Sequence, residues 1–146
     1  MLSTVAIALG SNLGDRALAL RRAVRELQRV VRVVRVSSFL DTAPVDAPLG
    51  SPRFLNAVLL GFTALTPLQL LDEMQAIELR LGRRRTNVRN APRTIDLDLI
   101  FHSAHRARTR RLTLPHPRYR EREFVMKPLQ EVWRYRVPTP PPSSTC

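Results

Sequence analysis

The chain has 146 residues, 44% hydrophobic and 25% charged, with 24 basic side chains against 12 acidic ones. That length supports one domain with its own core, and the composition excludes a wholly disordered chain. No apolar run reaches the roughly 18–20 residues of a membrane span, no signal-peptide pattern opens the sequence, and the single cysteine, Cys146, forms neither an internal disulfide nor a cysteine metal cluster.

The expectation is a cytoplasmic, monomeric protein with one domain over residues 1–137 and a fraying Pro/Ser-rich tail at 138–146. The formal net charge is +12, and Lys127 is the lone lysine. Arginine's planar fork suits phosphate and carboxylate oxygens. The charge therefore points to an anionic partner: nucleic acid, a nucleotide or a phosphorylated metabolite. Genomic composition explains surface arginines equally well.

Val5 to Leu9 is a continuous apolar run closed by Gly10-Ser11-Asn12, a buried strand ending in a turn. A helix is predicted over about 14–32, with Ala17, Leu20, Val24, Leu27 and Val31 on one stripe. Arg21, Arg22, Arg25, Arg29 and Arg32 fall largely off it, as a solvated face or an anion-docking face. Val33 to Leu40 alternates as a second strand. Residues 41–53 hold three prolines and Gly50, and read as a long loop. Phe54 to Thr63 is a third strand. Thr66, Pro67 and Gly82 frame a second helix with Leu70, Met74, Ile77 and Leu81 inward. Residues 82–94 carry five arginines and little that is apolar, a second long loop. Ile95 to Phe101 alternates as a strand, and residues 102–111 read as exposed, with His102 and His105 on the surface. The order is βαββαβ, the α+β ferredoxin-like sandwich: an antiparallel sheet with both helices on one face.

Asp96-Leu97-Asp98 is the sharpest local signal. On a strand, residues i and i+2 share a face, so two carboxylates stand side by side while Ile95, Leu97 and Leu99 turn inward. Such a pair either holds Mg²⁺ or is a solvent-facing acidic pair. Arg83, Arg84, Arg85, Arg89 and Arg93 stand just upstream. Metal-binding carboxylates beside a row of arginines are the parts of a phosphoryl-transfer site; the alternative is mutual neutralisation in surface pairs. Gln75 and Glu78 are an i,i+3 pair, at a pocket rim or on a solvated face. Phe54 and Asn56 share one side of their strand, which suits a flat heterocycle or ordinary core packing.

Together, Gly10-Ser11-Asn12-Leu13-Gly14, Phe54-Leu55-Asn56-Ala57, Gln75-x-x-Glu78, Gly82-Arg83, Ala91-Pro92-Arg93-Thr94-Ile95-Asp96-Leu97-Asp98-Leu99 and Leu114-Pro115-His116 resemble the 6-hydroxymethyl-7,8-dihydropterin pyrophosphokinase family of folate biosynthesis, from Val5 to about Glu131. The resemblance implies the ferredoxin-like fold and Mg²⁺-dependent transfer of pyrophosphate from ATP to the pterin's hydroxymethyl oxygen, releasing AMP. It implies that Asp96 and Asp98 hold two Mg²⁺ ions, and that Arg83, Arg85 and Arg93 bind or stabilise the phosphates. Gln75, Glu78, Leu99, Arg111, Thr113, His116 and Arg122 match positions around ATP. Thr42, Pro44, Val45, Phe54, Asn56 and Phe124 match the pterin pocket, where Phe54 and Phe124 would sandwich the ring. The loops at 41–53 and 82–94 match those that close over the substrates. The family often carries Trp where Asn90 stands, Tyr where Pro117 stands and Leu where Val45 stands.

A rival reading is a basic ferredoxin-like module that binds nucleic acid. It would stack bases on exposed sheet aromatics, yet aromatics are only 5% of the chain, so no specific nucleic acid is expected. A nucleotide-sugar transferase also uses Asp-x-Asp, but in a larger fold.

Overall fold

The computed structural model describes residues 2–44, 49–82, 94–103, 107–108, 113–114 and 123–133. β1 (Ser3–Ser11) is the apolar opening run. α1 (Arg16–Leu27) starts at Asp15, whose carboxylate accepts the Leu18 N–H at 3.1 Å. The helix ends five residues short of the expected 32. The β-branched Val30-Val31 and Val33-Val34 favour extended backbone over another helical turn, although Val31 itself is buried. β2 (Arg32–Val36) and β3 (Leu40–Thr42) replace the single strand expected at 33–40. β4 (Phe54–Thr63) falls where it is predicted.

α2 (Pro67–Arg80) carries every sign read from the sequence. Thr66 Oγ1 accepts from Gln69 N at 3.2 Å, and Gln69 Oε1 accepts from Thr66 N at 2.9 Å. That reciprocal pair satisfies two donors the helix cannot. Pro67 stands in the first turn, and Gly82, at φ 96°, turns the chain away. β5 (Asp96–His102), a short hairpin of β6 (Ala107–Arg108) with β7 (Thr113–Leu114), and α3 (Glu123–Trp133) complete the order.

The main sheet runs β2–β4–β1–β5, with β3 also on β4, and every neighbouring pair is antiparallel. β2 and β3 lie end to end along β4 and are separated at Ser37-Ser38. There the Ser37 N–H donates to Val58 O, and Ser37 Oγ accepts from Val58 N, each at 2.9 Å. The hydroxyl thus stands in for a ladder carbonyl. Glu131 of α3 holds the next residue, accepting from Ser38 N at 3.1 Å and from Ser38 Oγ at 2.8 Å.

Each sheet face has its own core. Val5, Ile7, Leu9, Ala57, Leu59, Leu97 and Leu99 pack with Leu20, Ala23 and Leu27 of α1 and Leu70, Met74 and Ile77 of α2. The first two helices therefore share one face, as expected. A third helix, beyond the βαββαβ order, covers part of the other face. Ala6, Val58, Leu60 and Ile100 pack with Val125, Leu129, Val132 and Trp133 of α3, and Trp133 meets Phe101 edge-on at 5.4 Å.

Candidate active site

β5 shows the alternation that brings two carboxylates together. Ile95, Leu97 and Leu99 are buried on the α1/α2 side, and Asp96 and Asp98 are half-exposed on the opposite face. In antiparallel pairing, residues directly opposite share a face. Asp96 is opposite Gly10, Gly10 is opposite Asn56, and Asn56 is opposite Leu40. One row therefore crosses four strands, with an acid on β5, no side chain on β1 and an amide on β4. The next row is Asp98, Ala8 and Val58. The small β1 residues, buried Gly10 and half-buried Ala8, form a low strip, or trough, between the carboxylates and the β4 side chains, and Asn56 and Phe54 lean over its Gly10 end. A Cβ built on Gly10 would lie 3.2 Å from Asn56 Oδ1 and 3.5 Å from Phe54 Cδ1.

The residues expected around a flat ring gather beside that trough. Phe54 is opposite Thr42, and the buried Asn56 donates through Nδ2 to Thr42 Oγ1 at 2.7 Å. Phe124, on the first turn of α3, packs on the core of the same sheet face. Pro44 follows β3, half-buried. The ends of the 43–53 loop are tied down next to these residues. Arg53 Nε donates to Asp41 Oδ1 at 2.6 Å and Arg16 to Asp41 Oδ2 at 2.9 Å, while Arg16 also reaches Arg53 O at 3.1 Å. Arg53, then Arg16, holds the Asp41 carboxyl below its ordinary value of 3.8.

Gln75 is half-buried, and Glu78 is not the solvated residue that its helical spacing allowed. It is buried, and its Oε2 accepts the Leu97 N–H at 2.8 Å. Leu99 is a core residue on its side-chain side, so only its main chain is offered at the β5 edge. Thr113 lies in β7, which runs against β5. Val45, Arg83, Arg85, Arg93, Arg111, His116 and Arg122 lie outside the described residues, as do Asn90, Pro117, His105, most of the 82–94 loop and the tail at 138–146.

One correction concerns His102. It ends β5 buried, with Nε2 2.9 Å from Leu65 O, not at the surface. The cause is a bulge: the β1 register jumps from Leu99 to Phe101, which reverses the inside–outside parity beyond Ile100. Gly10 and Ser11, expected in the turn that closes the first strand, lie within β1 instead. Arg21, Arg22, Arg25, Arg29 and Arg32 are all exposed.

The family model described as 7,8-dihydro-6-hydroxymethylpterin-pyrophosphokinase (HPPK) matches residues 6–134. The chain is 45% identical to the 2-amino-4-hydroxy-6-hydroxymethyldihydropteridine pyrophosphokinase of Bacillus subtilis over 86% of its length and 75% of the relative's. It is 40% identical to the folate synthesis bifunctional protein of Arabidopsis thaliana over 88% of its length, spanning only 26% of that longer protein. Among solved structures it resembles an HPPK-DHPS in complex with substrates, at TM-score 0.62 and 11% identity, over 86% of this chain and 39% of the other. That low identity speaks for the fold alone. The matched span contains both cores but for Val5, and the carboxylate pair with the row through Gly10 and Asn56, and the chain belongs to the 7,8-dihydro-6-hydroxymethylpterin-pyrophosphokinase family.

Proposed function

We infer that this chain transfers the pyrophosphoryl group of ATP to the hydroxymethyl oxygen of 6-hydroxymethyl-7,8-dihydropterin, releasing AMP, in folate biosynthesis. The observation that carries the reading is the row Asp96, Gly10, Asn56 on one sheet face of a chain in that family. We read the βαββαβ order with β2–β4–β1–β5 pairing as the ferredoxin-like sandwich, in one domain over 1–137. A monomer working in a reducing cytoplasm goes with this reading, supported by the single Cys146.

The donor set fits Mg²⁺. Among the described residues, Asp96 and Asp98 offer hard carboxylate oxygens, and no group of three or more His, Cys, Asp or Glu side chains gathers to make an all-protein cage. Mg²⁺ commonly takes one or two carboxylates and completes its shell with water and substrate phosphates. Two ions bound by Asp96 and Asp98 would neutralise triphosphate charge and acidify the acceptor hydroxyl. Asn56 and Thr42 present a fixed hydrogen-bonding edge to the pterin, and Phe54 and Phe124 give it aromatic faces. Ring and triphosphate would meet over Gly10 and Ala8, where the absence of bulk lets the acceptor oxygen come down beside the carboxylates. Leu99 offers its main chain, and Gln75, Glu78, Thr113, Arg111, His116 and Arg122 surround ATP by the resemblance. Arg83, Arg85 and Arg93 carry the phosphate charge by the same resemblance, the role that guanidiniums commonly take in phosphoryl transfer.

The nucleic-acid reading loses support from α3. The sheet face that such a module uses to stack bases is covered here by Val125, Leu129, Val132 and Trp133. The deciding experiment is product analysis. ATP, Mg²⁺ and the hydroxymethyl pterin should yield AMP, and Asp96→Asn or Asp98→Asn should cut single-turnover rates by on the order of 10²–10³ with folding intact. ADP as product, or turnover without the pterin, refutes the reading.

A further inference from the structure

We propose that Glu78 is a positioning residue for the Asp96/Asp98 pair, acting through the peptide between them. The proposal rests on the pyrophosphokinase reading for its consequence, but not for its geometry. Among the described residues, β5 is the outer strand on its side of the main sheet and pairs there with β1. An outer strand leaves alternate N–H groups without a ladder partner. Leu97 is one of these residues, and its N–H donates to Glu78 Oε2 at 2.8 Å.

Three features make this more than edge tidying. Leu97 lies between the two aspartates, so the orientation of its peptide governs the backbone that carries both carboxylates. Its own side chain is fixed in the α1/α2 core. The bond from the Leu97 N–H to the Glu78 carboxylate therefore supplies a second anchor, which keeps this segment from rotating about its axis. Glu78 in turn stands on the rigid part of α2, next to Ile77 and one turn after Met74, both 1% exposed. Finally, Glu78 is itself only 8% exposed. Burying a carboxylate is costly unless it is hydrogen-bonded, and bonds to an ionised acceptor are the stronger kind. An apolar residue would fill the same helix position more cheaply but would leave the Leu97 amide without this partner. Held this way, Asp96 and Asp98 are preorganised for a cation before substrate arrives.

The test uses the full chain and two independent readouts. The first is amide hydrogen exchange at Leu97, without ligand. Glu78→Ala should speed exchange at Leu97 by about tenfold or more, while amides in the β1–β4 ladder keep their parental rates. Glu78→Gln retains an acceptor oxygen and should preserve protection. The second readout is the Mg²⁺ midpoint for binding a non-hydrolysable ATP analogue. Glu78→Ala should raise it by roughly tenfold and Glu78→Gln should restore it. If Glu78→Ala does not fold, Glu78→Asp, whose shorter arm withdraws from Leu97, replaces it in both assays. Unchanged Leu97 exchange overturns the proposal. So does a Gln variant that protects Leu97 yet binds Mg²⁺ as poorly as the Ala variant, because charge rather than position would then be at work. Failure of the pyrophosphokinase reading looks different: the parent chain would form no AMP, while the exchange result would stand.

Discussion

Gly10→Ala tests the floor of the trough. Gly10 is not among the positive-φ glycines, Gly14, Gly50 and Gly82, so alanine meets no backbone penalty and the change is purely one of volume. The added methyl would stand 3.2 Å from Asn56 Oδ1 and 3.5 and 3.7 Å from Phe54 Cδ1 and Cε1. The Phe54 contacts are ordinary; the Asn56 contact is tight by a few tenths of an ångström. Asn56 cannot swing away freely, because it is 5% exposed and its Nδ2 is bound to Thr42 Oγ1 at 2.7 Å. Overpacking of this kind costs about 1–3 kcal/mol. In the folded chain without ligand, the gain from replacing glycine in a strand, about 0.5–1 kcal/mol, offsets part of it, so the net loss is at most about 2.5 kcal/mol and Tm should fall by no more than about 10 °C. The bound state has no such offset, because a ring held by Asn56 and Phe54 also meets the shift that the methyl forces on them. Pterin affinity should fall by roughly tenfold, the equivalent of about 1.4 kcal/mol, while ATP-analogue affinity stays near the parental value. Calorimetric titration of each ligand gives both numbers. Unchanged pterin affinity, or equal losses for the two ligands, refutes the placement of the ring over Gly10.

Three further outcomes follow from the packing and the charges. Trp133→Ala removes the edge-on contact with Phe101 and part of the α3 core, and should destabilise the fold by about 3–5 kcal/mol in urea titrations; a loss below about 1 kcal/mol would mean that α3 is not integral to the domain. Glu131→Ala releases Ser38 N and Oγ, and exchange at the Ser38 amide should rise while β1 amides are unaffected. Asp41 has a folded-state pKa below its ordinary 3.8, so its ionised form stabilises the fold above that value, and the contribution is lost as pH falls through the lowered one. Asp41→Asn should therefore change Tm little near neutrality, where an exposed ion pair counts for little, and flatten the decline of Tm below about pH 4. A parallel acid limb in parent and variant would contradict the Arg53 and Arg16 assignment.

Local chemistry made some elements readable and hid others. Thr66, Pro67 and Gly82 mark α2 because capping and termination act within a few residues. The same-face placement of Asp96 and Asp98 needs only the strand period of two. The break between β2 and β3 is not readable in this way, because it depends on Val58 and Glu131, which are distant in sequence from Ser37 and Ser38. α3 is not among the elements read from the sequence: Val125, Leu129 and Val132 have helical spacing, but Pro128 stands inside the pattern and argues against a helix. His102 reads as the first residue of an exposed His- and Arg-rich segment, but β5 runs on to include it and a bulge turns it inward, neither of which the local sequence registers. Glu78 and Gly10 share that limit. Each is defined by what stands opposite it across strands, and register between distant segments is a property of the fold.

The face that carries the site also shows how one sheet surface serves two purposes. Along β1, Ala6 is under α3, Ala8 is partly buried against the same cluster, and Gly10 lies beyond it in the row of Asp96 and Asn56. Along β4 the sequence changes in step, with Leu60 and Val58 in the α3 core and Asn56 bound to Thr42. β5 does the same, with Ile100 in the core and Asp98 and Asp96 outside it. The apolar ends let α3 dock and bury that part of the sheet. The polar ends lie past the first turn of α3, where Phe124 still packs on the shared cluster. A helix that only stabilised the fold would be free to cover the whole face. Among the described residues, the strip beyond α3 has an apolar base on one side, hydrogen-bonding groups on β3 and β4, and carboxylates on β5. The extra helix, absent from the expected βαββαβ core, is in this reading what converts an open sheet face into a bounded site.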